Sequence, residues 1–318
     1  MINNNGVEMR VFSGTAHPKL AQDIAQYLGI ELGKMRVSKF ACGEIFVNIE
    51  ESVRGKNVFI IQTAGPDVNN NLMEMFIMMD AFKRASAASI QLVIPHYGYA
   101  RQDKKAGPRE PISARLTADL MEKIGCNRVI TMDLHSDQIQ GYFSIPVDHL
   151  FALPLFVRYF ENKKIKDLVV VAPDTGRAKT CKRLADSLGA DLAIVHKSRP
   201  KHNVAEVMHL VGDVNNKTVL LFDDMVDTAG SIVSGLEVLK QHGCNDEIYL
   251  AATHPVFSNP ATERLTKAGF KEVVVMDTIP VPAEKRFPGL KVLSPAPLFG
   301  EAIQRAHQNR SVSEIFEH

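Results

Sequence analysis

The residues best suited to chemistry follow a short apolar run, Val219–Phe222. Two carboxylates, Asp223 and Asp224, come directly after this run, and Asp227-Thr-Ala-Gly-Ser231 then forms a turn of small residues. Ligands of open α/β sheets bind at the carboxyl ends of the strands. A small-residue turn at a helix start offers backbone N–H groups to a phosphate, whereas carboxylates repel phosphate and accept from hydroxyls. The pattern therefore predicts a ligand that carries both a diol and a phosphate.

The same residues also allow a purely structural interpretation. Two acids can simply end a strand, and Thr228 or Ser231 can cap the helix that follows. The full pattern from Val219 to Ser231 favours the ligand site over this alternative.

The elements that must position this turn alternate along the chain. Short β-branched and apolar runs predict strands at Arg10–Phe12, Val58–Gln62, Ser89–Ile94, Val129–Asp133, Leu168–Ala172, Val219–Phe222, Ile248–Thr253 and Val273–Asp277. Helical patterns between them predict helices at His17–Leu28, Asn71–Ala85, Ser113–Ile124, Thr175–Leu188, Ser231–Gln241 and Pro260–Ala268. Several of the strands are apolar nearly throughout, as expected for parallel strands buried on both faces. Alternation of this kind predicts an α/β fold with parallel sheets.

One internal similarity bears on the number of domains. The stretches 123–133 and 267–277 both have a helix end, a glycine, and an apolar run that closes on aspartate. Two explanations of this similarity are equally open. It reflects either features that are common to α/β sequences in general, or two related halves with a boundary near residue 150.

Composition limits the class of protein. The length of 318 residues is typical of a two-domain protein, and a hydrophobic content of 45% is enough to fill two cores. With 37 basic and 36 acidic residues, it lacks the charge of a nucleic-acid groove spread over the whole surface. The four cysteines form no CxxC pair, the first residues are polar, and no run approaches a membrane span. We therefore expect a cytoplasmic protein with free thiols that binds neither membrane nor nucleic acid.

A set of further motifs resembles one family over almost the whole chain. They are Tyr99–Lys105, Arg109–Ile112, Thr131–His135, Gln138–Gly141, Ala172–Asp174, Lys197–Arg199, Val211–Asp213 and Asp223–Ser231. Together they are similar to the class I ribose-phosphate pyrophosphokinases, also called phosphoribosyl pyrophosphate synthetases. The resemblance implies two related domains of the phosphoribosyltransferase type, each with a mostly parallel sheet flanked by helices. Residues 1–150, with 303–318 as a candidate addition, would form the ATP side, and residues 151–302 the ribose 5-phosphate side.

The resemblance also implies a reaction. The 1-hydroxyl of ribose 5-phosphate would attack the β-phosphorus of ATP, giving phosphoribosyl pyrophosphate and AMP. Such a transfer needs alignment and charge neutralisation, normally by Mg²⁺ with Lys or Arg. The sugar-binding residues implied are Arg199, Asp223, Asp224, Asp227, Thr228, Ala229, Gly230 and Ser231.

The family's catalytic pair corresponds to Lys197 and Arg199. Both lie in a basic, polar stretch that follows a short strand at Ala193–Val195, and we expect this stretch to be a mobile loop. Composition alone would favour a solvated basic loop, so the catalytic role depends on the resemblance.

The family binds ATP through two segments, which here contain Phe40, Cys42, Gly43, Glu44, Arg101 and Gln102. Arg101 is expected on phosphate and Gln102 near adenine. Cys42 replaces the family's usual aspartate, so a carboxylate contact to the nucleotide is lost, while adenine can still stack on Phe40.

The family's magnesium sites correspond to His135 with Asp133 in the first domain and to Asp174 in the second. Histidine is an unusual ligand for Mg²⁺, which prefers oxygen. Three residues after Asp174, Arg177 replaces a second glycine of the family's pyrophosphate turn. A glycine allows backbone to approach the pyrophosphate closely; the arginine either obstructs that approach or adds a cation to it.

Regulation is implied by the resemblance alone. Class I members form hexamers that phosphate activates and ADP inhibits at a subunit interface. The positions that match by this resemblance are Ser52, Arg54, Arg109 and Ser311. A phosphate site of this kind needs converging Arg and Ser donors. Independent surface residues are the alternative.

Three functional hypotheses stay open. The first is an active pyrophosphokinase, favoured by His135, Lys197, Arg199 and the turn at Asp223–Ser231. The second is a non-catalytic relative that joins hexamers, for which Cys42 and Arg177 are suggestive. The third is a phosphoribosyltransferase, which would not need the Arg101-Gln102 and Lys197/Arg199 pairs.

Overall fold

A computed structural model describes residues 1–3, 6–198 and 207–316 of the chain. It divides into two compact units. The first contains Met1–Phe151, Thr278–Pro280 and Ser294–His318, and the second contains Ala152–Asp277 and Val281–Leu293.

Strands and helices alternate along both units. In chain order the strands are β1 (Met9–Ser13), β2 (Met35–Lys39), β3 (Ile45–Ile49), β4 (Asn57–Ile61), β5 (Ser89–Ile94), β6 (Arg128–Met132), β7 (Val147–Leu150), β8 (Leu168–Ala172), β9 (Asp191–Ser198), β10 (Val207–Val211), β11 (Thr218–Val226), β12 (Ile248–Pro255), β13 (Glu272–Met276) and β14 (Leu290–Leu293). The helices are α1 (Pro18–Leu28), α2 (Val68–Arg84), α3 (Ser113–Ile124), α4 (Leu153–Glu161), α5 (Ala178–Leu188), α6 (Gly230–Gln241), α7 (Ala261–Ala268) and α8 (Ala296–His307). Within the described ranges, no helix combines the length and the apolar character that a membrane crossing requires.

The first unit is built on a sheet in the order β1-β4-β5-β6-β7, with every pair parallel. Its strands are apolar because both of their faces are covered; Val58, Ile60 and Leu92, for example, are fully buried. Strands β2 and β3 form a separate antiparallel hairpin.

The C-terminal helix α8 belongs to this first unit and packs on α1. The two helices approach closely at Gly300, where a Cβ atom would clash with the Tyr27 ring. Tyr27 also donates a hydrogen bond of 3.2 Å to Glu301. Glycine at position 300 is therefore a requirement of this packing.

The second unit has a seven-stranded sheet in the order β10-β9-β8-β11-β12-β13-β14. All pairs are parallel except β9 with the edge strand β10. Its core, around residues such as Val171, Leu221 and Leu250, is built from the apolar runs that predicted the strands. The predicted α/β fold with parallel central sheets flanked by helices is confirmed.

The two sheets share one strand order. β1-β4-β5-β6-β7 in the first unit corresponds to β8-β11-β12-β13-β14 in the second. The similar stretches 123–133 and 267–277 contain β6 and β13, which hold the same position in this order. The internal similarity thus coincides with a repeated topology.

The carboxyl end of β4, the counterpart of β11, is followed by a buried polar cluster. Gln62 and Thr63 are 1% and 0% exposed. The Gln62 amide accepts from the N–H of Ala16 at 3.1 Å and donates to the Glu74 carboxylate at 3.0 Å. Glu74 also accepts from the N–H and the hydroxyl of Thr15, both at 2.6 Å. Side chains of the unit itself therefore fill this position.

The basic stretch from Lys197 differs from its sequence-based prediction. The sequence predicts a loop directly after a strand at Ala193–Val195, but β9 continues to Ser198. The strand is longer because Val207–Val211 supplies an antiparallel backbone partner, with Lys197 opposite Met208. Residues 199–206, and with them Arg199, lie outside the described residues.

Below pH 6.5 the stability of the first unit should depend on His149 in β7. Its side chain is 4% exposed, and its Nε2 accepts from the Leu134 N–H at 2.9 Å. Burial lowers the pKa of His149 to about 4. The unfolded chain has a pKa near ~6.5, so protonation stabilises only the unfolded state between the two values.

The free energy of unfolding should therefore fall by about 2 kcal/mol through this group between pH 7 and pH 5. Urea unfolding of wild type and His149→Gln at both pH values measures it. The glutamine side chain can place its amide oxygen near the position of Nε2 and accept from Leu134, but it does not titrate, so the variant should show a smaller loss. An equal loss in both proteins would contradict the prediction.

Candidate active site

The two carboxylates predicted to bind a diol lie near the end of β11. Its pairing with β8 stops at Leu221, whereas its pairing with β12 continues to Val226. Asp223 and Asp224 therefore lie beyond the last residue of β11 that pairs with β8, at the carboxyl end of the sheet. The Asp224 side chain is 4% exposed and that of Asp223 is 21% exposed.

Arg177 contacts both carboxylates. Its Nη2 donates to Oδ2 of Asp224 at 2.6 Å, and its Nε lies 3.7 Å from Oδ1 of Asp223. Burial, and then the neighbouring Asp224 carboxylate, raise the pKa of Asp223 well above its usual range, while Arg177 acts in the opposite direction. The arginine thus partly neutralises a pair of acids that repel each other.

The small-residue turn leads directly into α6, as the sequence predicted. Ala229, at the N-cap, has a left-handed backbone with φ of 59°, and the helix begins at Gly230. Alanine has no side-chain oxygen that could cap the helix from the N-cap position. The first N–H groups of a helix lack intrahelical partners, so the start of α6 can receive a phosphate.

Arg264, which the sequence analysis missed, supports this turn. Its Nη1 donates to the Thr228 carbonyl at 2.9 Å. The same atom would lie 3.4 Å from a Cβ atom on Gly230. The placement follows from topology, since α7 follows β12, the sheet neighbour of β11, and packs on α6. Arg264 brings a positive charge to the predicted phosphate position.

The turn after β8 is held by Asp174. Its Oδ1 accepts from the N–H groups of Gly176 at 2.8 Å and Arg177 at 3.2 Å. These bonds fix a short 3-10 helix, Thr175–Arg177, that precedes α5. The structure thus brings the predicted magnesium residue and Arg177 together.

Lys197, predicted to be catalytic, lies next to the end of β9. Strand β9 pairs with β8 and β10, and β8 in turn pairs with β11. Lys197 and the two carboxylates are therefore carried by the same sheet. The catalytic role of Lys197, like that of Arg199, stays a prediction.

The first predicted ATP segment is the turn of the β2–β3 hairpin. The Phe40 N–H donates to the Glu44 carbonyl at 2.9 Å, and Gly43 has a φ of 94°, which favours glycine. Phe40 is 55% exposed and lies edge-on to Phe46 at a centroid distance of 5.6 Å. Cys42 is exposed. An exposed aromatic ring of this kind suits a stacked base.

The second predicted ATP segment follows β5. The Gln102 side chain accepts from the Ser113 hydroxyl at 2.6 Å, and its backbone carbonyl accepts from the Ala114 N–H at 3.2 Å. Arg101 is exposed and lies two residues after Tyr99, whose φ is 61°. The start of α3 therefore holds this segment in place.

Asp133 and His135 follow β6. Asp133 is partly buried with a φ of 38°, and its N–H donates to the Leu150 carbonyl at 3.0 Å. Among the described residues, no group of three or more His, Cys, Asp or Glu is arranged to hold a metal ion. The metal role of Asp133, His135 and Asp174 stays a prediction.

The predicted regulatory residues are exposed. Ser52 and Arg54 flank the buried Val53, and Arg109 has a φ of 66°. Ser311 lies 2.9 Å from Ser313 through their hydroxyls, and its carbonyl accepts from Arg305 at 3.0 Å. Their role as an effector site stays a prediction.

Comparison with known proteins supports the family resemblance over nearly the full chain. Residues 9–125 match the N-terminal domain of ribose phosphate pyrophosphokinase, and residues 197–317 match the phosphoribosyl synthetase-associated domain. Ribose-phosphate pyrophosphokinase from Caldanaerobacter subterraneus is 55% identical, covering 97% of this chain and 98% of that protein. The Bacillus subtilis protein of the same name is 49% identical, covering 97% of each.

A solved structure shows the same fold. Phosphoribosylpyrophosphate synthetase from Mycobacterium smegmatis superposes with a TM-score of 0.91 at 45% identity, covering 95% of this chain and 99% of that chain. The predicted resemblance is confirmed, and the chain belongs to the ribose-phosphate pyrophosphokinases, a family of transferases.

Proposed function

We propose that the chain transfers the pyrophosphoryl group of ATP to ribose 5-phosphate. The observation that carries this proposal is the pair of carboxylates near the end of β11, followed by the small-residue turn into the start of α6, in a chain of this family. Carboxylates can accept from two hydroxyls, and the helix start with Arg264 can receive a phosphate. A sugar phosphate with a vicinal diol offers both groups.

In the proposed reaction the 1-hydroxyl oxygen bonds to the β-phosphorus of ATP. The bond from that phosphorus to the bridging oxygen of the α-phosphate breaks, AMP departs with that oxygen, and the hydroxyl proton is released. The chain contributes alignment through Asp223, Asp224 and the turn at Asp227–Ser231. Lys197 and Arg199 contribute positive charge toward the transferring group.

The nucleotide is assigned to the two segments of the first unit. Phe40 presents an exposed ring for stacking of adenine, and Arg101 presents a guanidinium for phosphate. Cys42 offers no carboxylate to the base or ribose, so discrimination between nucleotides has to come from Phe40, Gln102 and backbone groups.

Mg²⁺ is the proposed cofactor. It is commonly held by one or two carboxylates together with phosphate oxygens and water, not by an all-protein cage. Asp133 and Asp174 are such carboxylates, and His135 would act beside Asp133. When bound, the ion would supply charge neutralisation on the polyphosphate.

Assembly, effectors and location are also proposals. We assign Ser52, Arg54, Arg109 and Ser311 to a phosphate and ADP site at an interface of a homohexamer. A location in the cytoplasm fits the chemistry of nucleotide biosynthesis, to which phosphoribosyl pyrophosphate is a precursor.

The test is an assay of AMP formation with ATP, Mg²⁺ and ribose 5-phosphate. We expect AMP to form only when the sugar phosphate is present. Binding of ribose 5-phosphate without sugar-dependent AMP, even at high protein concentration, would contradict the proposal and would favour a non-catalytic relative. Release of pyrophosphate from phosphoribosyl pyrophosphate with a free nucleobase would instead indicate a phosphoribosyltransferase.

A further inference from the structure

One cation spans the two carboxylates that the proposed function assigns to the sugar hydroxyls. The Arg177 guanidinium bonds to Asp224 at 2.6 Å and faces Asp223 at 3.7 Å. Its side chain is 16% exposed, so it packs against the acids and is not spread into solvent. A diol that approaches the same carboxylates meets a donor already in place.

We propose that Arg177 is a specificity-determining residue, whose guanidinium competes with the hydroxyls of a vicinal-diol sugar phosphate for Asp223 and Asp224. This inference rests on the proposed function, because it concerns the same sugar site. Arg177 would weaken the affinity for the sugar, because the ligand has to replace the contacts of the guanidinium with both Asp223 and Asp224.

The geometry favours competition over sharing. Asp224 is 4% exposed, which leaves little surface for a second donor beside the guanidinium. The Arg177 backbone is fixed because its N–H donates to Asp174 at 3.2 Å. The side chain therefore has to leave the carboxylates by rotation about its own bonds, and it loses a short charge-assisted hydrogen bond when it does so.

The competition should be confined to ligands that use the diol. The proposed phosphate position, at the start of α6, is assigned to backbone groups and to Arg264, whereas Arg177 bonds to the carboxylates that are assigned to the diol. Arg177 should therefore lower the affinity for ribose 5-phosphate. It should lower the affinity for 2-deoxyribose 5-phosphate, which has no vicinal diol, to a smaller extent.

Calorimetric titration of variants with ribose 5-phosphate tests the inference. Arg177→Gly removes the guanidinium and gives the turn the second glycine that is commoner in the family, and Arg177→Gln removes the charge but keeps a long side chain. We expect both to bind ribose 5-phosphate about tenfold more tightly than wild type, which corresponds to about 1.4 kcal/mol. The gain for 2-deoxyribose 5-phosphate should be smaller.

Lys179→Gly is the matched control, because Lys179 is an exposed cation at the start of α5, two residues after Arg177. Its sugar affinity should equal that of wild type. Thermal unfolding shows whether each variant is folded, and if Arg177→Gly is not, Arg177→Gln decides.

Unchanged or weaker sugar binding in a folded Arg177 variant overturns the inference alone. An equal gain for the two sugars also overturns it, since the effect would then not depend on the diol. If wild type and every variant fail to bind ribose 5-phosphate, the proposed function fails and the inference falls with it.

Discussion

Replacement of Lys197 by alanine should lower the turnover number by about 10²- to 10³-fold, the usual cost of losing one preorganised donor to a developing charge. The Kd for ribose 5-phosphate should hardly change. The Kd is expected to be unaffected because the sugar contacts are assigned to the end of β11 and the start of α6, whereas Lys197 is carried by β9. Initial rates of AMP formation and calorimetry with ribose 5-phosphate measure the two quantities separately.

Two further variants make this test specific. Lys197→Arg keeps the charge but changes its shape, and it should recover part of the turnover. Lys166→Ala removes an exposed lysine of the same unit and should leave turnover unchanged. Normal turnover in Lys197→Ala would remove this lysine from the mechanism.

The second large effect is expected from Asp224→Asn. Asparagine has nearly the same size as aspartate, but the change removes the charge of a side chain that is 4% exposed. Hydrogen bonds to charged groups are worth about 1.5–3 kcal/mol, so the KM for ribose 5-phosphate should rise by roughly 10- to 100-fold. The KM for ATP should change much less, because the predicted ATP segments belong to the first unit.

Steady-state kinetics with each substrate in turn measures this difference. Asp246→Asn is the control, since Asp246 is an exposed acid elsewhere in the second unit. A similar rise of both KM values in Asp224→Asn would indicate a general loss of structure and would contradict a sugar-specific role.

The sequence predicted the central strands and the sugar turn well, for a physical reason. Strands such as β8 and β5 are buried on both faces, so their whole apolar run appears in the sequence, and both have the predicted ends. Strands β2, β3, β7, β10 and β14 and helices α4 and α8 were not predicted. Strands β7 and β14 have only four residues each, too few for a clear pattern, and α8 is placed by its close packing on α1 at Gly300.

The pairing of Arg177 marks the limit of sequence reasoning at the site. The sequence showed that an arginine stands where a glycine is commoner, but left open whether it obstructs or assists. Its orientation depends on Asp223 and Asp224, which lie far away in the sequence and become neighbours only because β8 and β11 pair in the sheet. Arg264 was missed because its contact with Thr228 likewise depends on tertiary packing.

The buried cluster after β4 has a consequence for stoichiometry. β4 and β11 hold the same position in a repeated strand order, so a duplicated ancestor would have had two equivalent ends at which a sugar phosphate can bind. In this chain, one end carries Asp223 and Asp224, whereas the other is closed by Gln62 and Glu74. Under the proposed function, we therefore expect a chain built from two similar sheets to bind a single sugar phosphate at these ends, with the nucleotide assigned to the first unit.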